Sequence, residues 1–222
     1  MNATSYVLTL SGSDSSGAAG MQADNRVIHA VGGMPLNVIT ACTLQTGSGL
    51  ISMQQSEPAE VKRHAETLLK DYPVGAIKIG MVCHAGIVSA VAGLLQSLKE
   101  CPFVIVDPVL RTSGGDSLLD EEGLDALNHQ LLPLADLITP NLDEEPMLQL
   151  PASSAVLLKG GHSGQATCVD RLRLSDGRCF EYAANRVKTE NLRGTGCALS
   201  AGIAAYISLG FELPEACRMA KA

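Results

Sequence analysis

The chain predicts an α/β fold in which a mostly parallel sheet is covered by helices on both faces. Three observations carry this. Short, β-branched apolar runs alternate with longer helical patterns along all 222 residues. The runs are continuously apolar rather than alternating, as strands buried on both faces must be. The loops after them carry Gly, Asp and Asn, and in such sheets ligands bind beyond the carboxyl ends of the strands.

Taken in order, Tyr6 to Leu10 reads as a strand running into Ser11-Gly-Ser-Asp14, and residues 19–31 as a helix. Leu36 to Cys42 is a second strand. Residues 58–69 form a helix, with Pro58 early and Val61, Ala65, Leu68 and Leu69 at helical spacing. Ala76 to Ile79 is a strand, 85–98 an apolar helix, and Phe103 to Val106 a central strand ending at Asp107-Pro108. A helix over 124–132 follows, then strands at 137–139 and 155–159. Residues 168–182 read as a hairpin turning at Ser175-Asp-Gly177, and a helix starts near Pro214. No repeat, low-complexity tract or linker interrupts the pattern, so residues 1–222 read as one domain.

Composition removes several classes of function. The net charge of −7 and the absence of a dense Lys/Arg cluster argue against nucleic acid as a partner. Aromatics at 3%, with no Trp, leave little for stacking bases. The seven cysteines contain no CxxC pair and suit neither a disulfide framework nor zinc, which favours a reducing, cytoplasmic setting. No apolar run is long enough for a bilayer, and the first residues lack a basic region followed by an apolar stretch. Membrane partners are therefore not expected. The scattered methionines read as core fillers, and His29, His64, His84 and His129 as surface or packing residues, at no metal-ligand spacing.

The chemistry concentrates in the loops. Asn191-Leu-Arg-Gly-Thr-Gly-Cys197 leads into the small-residue run 198–209. Gly194 and Gly196 permit a tight turn and close ligand approach. A helix starting there aims unpaired N–H groups and its positive dipole end at the turn, which makes an anion site suited to a phosphoryl group. Cys197 is either a thiol activated by the helix terminus or an inert buried cysteine. The loop Ser11 to Asp24 carries Gly12, Gly17 and Gly20 and lacks both GxGxxG and the Walker pattern. It is either a ligand loop, with Asp24 accepting from a hydroxyl, or a loop with helix caps. Asp107 suits a metal ion or its waters, and equally a turn. Asn141 and Glu144 fit a capping box, and serve a ligand only if other loops bring phosphate and Mg²⁺ near them. Lys159 in Lys159-Gly-Gly-His162 can neutralise phosphate charge or simply end a strand.

Together these motifs resemble one family. Residues 12–24, Val38-Ile-Thr-Ala41 with Gln45, Lys78-Ile-Gly-Met81, Val106-Asp-Pro-Val109, Ile138-Thr-Pro-Asn141 with Glu144, Lys159 to His162 and Gly194-Thr-Gly-Cys197 occur in that family's order. The chain resembles the hydroxymethylpyrimidine/phosphomethylpyrimidine kinases of thiamine biosynthesis, within the ribokinase-like superfamily. The likeness spans nearly the whole chain. It implies a three-layer ribokinase-like fold with a small β lid element, ATP as co-substrate, Mg²⁺, and a homodimer. It implies Cys197 at the base position, with the backbone of Gly194, Thr195 and Gly196 forming the anion hole. Gly12, Ala19, Asp24, Gln45, Met81 and Val109 would line the pyrimidine pocket. Asn141, Lys159, Gly161 and Thr195 would meet the nucleotide, with Asp107 and Glu144 at the metal.

The chain departs from the family at Ala18, where another glycine is usual, and at Ser113, where relatives often carry lysine. Residues 148–154 make a connection shorter than the family's by roughly a helix, and the family continues past Ala222. Two other readings stand beside the first. One is a pyridoxal or pyridoxine kinase, which Gln45 disfavours because an amide both donates to and accepts from an aminopyrimidine edge. The other is a catalytically silent pyrimidine-binding relative.

Overall fold

The computed structural model describes residues 5–46, 49–112, 114–162, 167–189 and 193–222. Ser113, Asn191 and Leu192, singled out above, lie outside the described residues, as does the side chain of His162. Nine strands form one sheet: β1 (Tyr6–Asp14), β2 (Met34–Thr46), β3 (Gly49–Gln55), β4 (Val74–Ile79), β5 (Phe103–Val106), β6 (Leu137–Ile138), β7 (Ala155–Leu158), β8 (Thr167–Arg173) and β9 (Cys179–Asn185). Their spatial order is β3-β2-β1-β4-β5-β6-β7-β8-β9. The run from β2 to β7 is parallel. The flanking pairs β2–β3, β7–β8 and β8–β9 are antiparallel. The sheet is thus mostly parallel, as the apolar runs predict, with antiparallel margins.

The helices are α1 (Gly20–Val31), α2 (Pro58–Asp71), α3 (Ala85–Ser97), α4 (Glu121–Ala126), α5 (Thr195–Ser208) and α6 (Leu213–Lys221). Strand residues alternate between two cores because successive side chains point to opposite faces. Leu8, Leu10, Ile77, Ile79, Val104 and Val106 pack with Val61 of α2 and with Ile87, Val91 and Leu94 of α3. Val7, Ala76, Ile105, Leu137 and Leu157 pack with Ile28 of α1, Ile203 and Ala204 of α5 and Ala216 of α6. Both faces being covered explains why the strands read as unbroken apolar runs. In α5 the small residues allow tight stacking: a Cβ on Gly202 would sit 3.2 Å from the Cβ of Ala220 on α6.

Local details differ from expectation at three places. β3 was not legible in the sequence; its residues Gly49–Gln55 contain no unbroken apolar run, and it is a strand because the antiparallel edge of β2 accepts it. The β2–β3 hairpin is the small β element at that sheet edge. The helix expected over 124–132 is α4 followed by a π-turn at Leu127–Leu131 and a 3₁₀ turn at Leu132–Leu134, where Pro133 removes a backbone donor. His84, read as a packing residue, caps α3: its Nδ1 accepts the Gly86 N–H at 3.1 Å.

The connection between β6 and β7 contains only the 3₁₀ turn Glu145–Met147 and no α-helix. Leu148 and Leu150 from this stretch pack onto the core shared with α2 and α3. Beside this connection lies a groove of about 330 Å³, lined by Leu150, Val156, Leu158, Arg171 and Arg173 among others.

Ile105 is fully buried in the central strand. Ile105→Ala is expected to cost about 2–5 kcal/mol, read as a lowered urea midpoint at unchanged slope.

Candidate active site

The parallel strands all end at one edge, and their loops converge on the first turn of α5. Gly194 holds φ 76 as the residue before that helix. A Cβ there would run into the carbonyl oxygen of Ala18, so the α5 loop lies backbone-to-backbone on the loop after β1. Gly20, at φ 57, is pressed in the same way onto the Gly12 carbonyl. Gly12 in turn lies under the Met81 side chain. Thr195, Gly196 and Cys197 form the first turn of α5, whose N–H groups have no partner within the helix. The anion site read from the sequence therefore has its helix, its turn and its close packing.

Lys159, from the end of β7, reaches this turn: a Cβ on Gly196 would sit 3.1 Å from its Nζ. Lys159 Nζ donates to Asp107 Oδ1 at 2.6 Å. The same oxygen accepts from Thr139 at 3.2 Å, and Oδ2 accepts from Ser200 at 3.2 Å. Burial works to raise the Asp107 carboxyl, but the Lys159 and Lys78 charges outweigh it and hold it below its usual value. Burial likewise opposes the Lys159 charge, and Asp107 and Glu144 keep it ionised.

The backbone of the Lys159 loop is fixed from two sides. Gly160 N–H donates to Asp170 at 2.8 Å, and Arg186 donates to the Gly161 carbonyl at 2.8 Å. Asp170 is also paired with Lys221 of α6 at 2.8 Å. The capping box forms as its spacing predicts. Asn141 Oδ1 accepts from the N–H groups of Asp143 and Glu144 at 2.8 Å, and Glu144 accepts the Asn141 N–H at 2.9 Å. Asn141 bridges to Lys159 across the sheet margin.

One expectation needs correction. Asp24 was placed in the pocket wall as an acceptor for a substrate hydroxyl. Its side chain is 0% exposed, and both oxygens are taken by Lys78 Nζ at 2.8 and 3.1 Å. It is the counter-ion of a buried lysine. Burial opposes the Lys78 ammonium, yet the Asp24 and Asp107 charges hold it above its usual value. Of the two readings of Cys197, a thiol acidified by the helix terminus and an inert buried cysteine, its surroundings do not favour the first. Burial instead pushes it up to about 11; Lys78 and the Gly20 N–H pull it down, while Asp107 and Asp24 oppose them. The thiol is neutral near pH 7.

The resemblance puts Asp107 and Glu144 around Mg²⁺ and its waters at the ATP phosphates. The oxygens of Asp107 carry Lys159, Thr139 and Ser200, and Glu144 binds the N–H groups of Asn141 and Leu110. Burial raises Glu144 to about 7. Among the described residues no group of three potential ligands surrounds a metal position. Asp107 holds Lys159 directly, and Glu144 adds to the field that keeps Lys159 ionised.

Gly12 and Met81, both expected in the pocket, are in contact. Gln45 is half-buried at the end of β2, and its N–H bonds the Ser15 hydroxyl at 3.1 Å. Met81 is buried, while Ala19 and Val109 are half-buried. Asp14, Lys78, Asp170, Arg193 and Ser200 were not singled out as site residues from the sequence. Arg193 adjoins Gly194, and Asp14 and Lys78 stand inside quoted motifs, but the partners of Lys78, Asp170, Arg193 and Ser200 that matter here are distant along the chain.

A glycine turn at a helix start with a lysine beside it, at the carboxyl edge of a mostly parallel sheet, is the arrangement of a ribokinase-like phosphotransferase. Within that class the chain belongs to the phosphomethylpyrimidine kinase family, whose pattern matches residues 14–155 and 147–222. The hydroxymethylpyrimidine/phosphomethylpyrimidine kinase of Haemophilus influenzae is 34% identical over 242 aligned positions, covering 100% of this chain and 90% of that protein. The crystal structure of phosphomethylpyrimidine kinase from Clostridium difficile superposes with TM-score 0.80 at 33% identity, covering 97% of this chain and 96% of that one. The ADP complex of Bacillus subtilis pyridoxal kinase superposes with TM-score 0.87 at 26% identity, covering 99% and 89%.

Gly194→Ala places a Cβ against the Ala18 carbonyl at a backbone angle that disfavours side chains. It is expected to cost about 1–3 kcal/mol of stability and to reduce kcat more than tenfold, because it lifts the anion loop from its seat. A fully active Gly194→Ala variant contradicts this seating.

Proposed function

We propose that this protein is an ATP-dependent kinase that phosphorylates hydroxymethylpyrimidine and then its monophosphate, in thiamine biosynthesis. The observation that carries this reading is the seat of the Gly194–Cys197 turn beside Lys159, in a chain of the phosphomethylpyrimidine kinase family. The N–H groups of Thr195, Gly196 and Cys197 receive the transferring phosphoryl group, and Lys159 offsets its charge. Asn141 and Gly161 border the nucleotide through the Lys159 loop. Mg²⁺ arrives with ATP as part of the co-substrate, since phosphate oxygens supply most of its shell. Gln45 presents an amide to the aminopyrimidine edge, and Gly12, Ala19, Met81 and Val109 enclose the ring.

Cys197 stands where the acceptor hydroxyl would lose its proton. A neutral alcohol needs a proton acceptor late in the transfer; a phosphate monoester above its second pKa near 6 does not. Cys197 therefore matters for the first transfer and little for the second.

Pyridoxal kinase activity is the second reading, favoured by the higher superposition score with the Bacillus subtilis enzyme. The higher identity to the pyrimidine kinases and the amide of Gln45 favour the first. Seven cysteines, none of them disulfide-bonded, support a reducing cytoplasmic setting. A homodimer is supported by exposed Ile39, Leu44 and Ile51 on the β2–β3 edge, surface of the kind a partner buries. Sedimentation at the monomer mass at micromolar concentration sinks the dimer.

The deciding experiment is ADP release from Mg-ATP with hydroxymethylpyrimidine, its monophosphate and pyridoxal side by side. Turnover with both pyrimidines and little with pyridoxal is expected; turnover with pyridoxal alone overturns the assignment. In the same assay kcat for hydroxymethylpyrimidine should rise with pH toward about 11, as the neutral Cys197 thiol gives way to thiolate. The monophosphate rate should be flat over that window. Cys197→Ala should remove the slope and lower the first rate by about 100-fold or more.

A further inference from the structure

Among the described residues, Lys78, Lys159 and Arg193 stand nearest the anion turn, while Arg186 holds the Gly161 carbonyl. Lys78 is 0% exposed and locked to Asp24, and Lys159 is 12% exposed on Asp107. Arg193 is 20% exposed and stands immediately before Gly194. Its guanidinium donates to Asp14 Oδ2 at 2.9 Å and to the Thr46 carbonyl at 2.9 Å. One side chain thus ties the anion loop to the loop after β1 and to the end of β2, next to Gln45.

Asp14 does not depend on Arg193 for its hydrogen bonds. Its carboxylate also accepts the Ser16 N–H, the Ser16 hydroxyl at 2.8 Å and the Ala19 N–H at 2.9 Å. Burial opposes its charge, yet these donors and Arg193 keep it below its usual value. Asp14 is a fixed, ionised anchor for an arginine at the rim.

The two transfers proposed above differ in one electrostatic respect. In the first, the acceptor is neutral. In the second, a monoester carrying about −1.5 to −2 charge must approach the γ-phosphate. Lys78 is sealed inside the fold, and Lys159 sits beneath the anion turn with its carboxylate partners. Arg193 is the more exposed of the three, and its planar fork matches phosphate oxygens better than an ammonium does.

We propose that Arg193 is the specificity-determining residue of the second transfer, holding the monophosphate of the acceptor while Asp14 fixes the guanidinium. A monophosphate oxygen forms the new bond to the γ-phosphorus. The bond from that phosphorus to the bridging oxygen breaks, and its electron pair leaves on ADP. No proton moves. This role rests on the pyrimidine-kinase reading.

The test compares kcat/KM for hydroxymethylpyrimidine and its monophosphate in the wild type, Arg193→Met, Arg193→Lys and Asp14→Asn. Arg193→Met should lower the monophosphate-to-alcohol ratio by on the order of 30-fold, chiefly through KM for the monophosphate. Arg193→Lys should recover part of that ratio, because it keeps the charge and loses the fork. Asp14→Asn should shift the ratio in the same direction by less. The wild-type KM for the monophosphate should rise with added salt more steeply than that of Arg193→Met. Equal loss with both acceptors, or no loss with either, overturns the role and leaves the functional reading standing. Absence of wild-type turnover with both pyrimidines overturns the functional reading and this role together.

Discussion

The site depends on one constraint: backbone must meet backbone where α5 begins. Gly194 rests on the Ala18 carbonyl, and Gly20 rests on that of Gly12. No side chain fits between these segments. A methyl group at either position would lift the helix start from the strand ends and carry its first-turn N–H groups away from the phosphoryl position. The rest of the geometry follows from this seating. Lys159 reaches the first turn only because that turn lies against the sheet edge. Cys197 meets the Gly20 N–H only because α1 and α5 start side by side.

Beneath that contact the protein keeps charges in pairs. Asp24 with Lys78 and Asp107 with Lys159 are buried ion pairs whose desolvation is costly and whose attraction recovers it only with good geometry. Replacing both members of a pair by apolar groups can leave stability unchanged, so stability alone does not account for them. Their arrangement does something an apolar filling would not. It places two positive groups below the anion turn, holds the carboxylates in place, and keeps the interior near neutrality before ligands arrive. It also places carboxylates near Cys197, which together with burial keeps that thiol protonated.

The β6–β7 connection separates what this site requires from what the sheet requires. A parallel pair is usually joined through a helix, yet here an extended stretch and one 3₁₀ turn suffice. Leu148 and Leu150 supply the core contacts on that side. The capping box at Asn141 is unaffected, because it forms over four residues directly after β6. Shortening the crossover leaves the loops at the carboxyl edge in register.

The amino-acid sequence by itself determined the elements whose causes are local. Unbroken apolar runs marked strands covered on both faces, Pro58 marked a helix start, Ser175-Asp-Gly177 marked the hairpin, and the spacing of Asn141 and Glu144 marked a cap. The motif order indicated the family. Tertiary structure alone decided what depends on distant partners. β3 exists because β2 offers an edge. Asp24 meets Lys78 across 54 residues of chain, and Arg193 meets Asp14 across 179. Such pairs leave no periodic trace in the chain, since a charge is matched through space only after the strand order has been set. Cys197 follows the same logic. Its position at a helix start left an acidic thiol and an inert one both open, but burial and neighbouring carboxylates, which only the folded chain assembles, set its proton affinity.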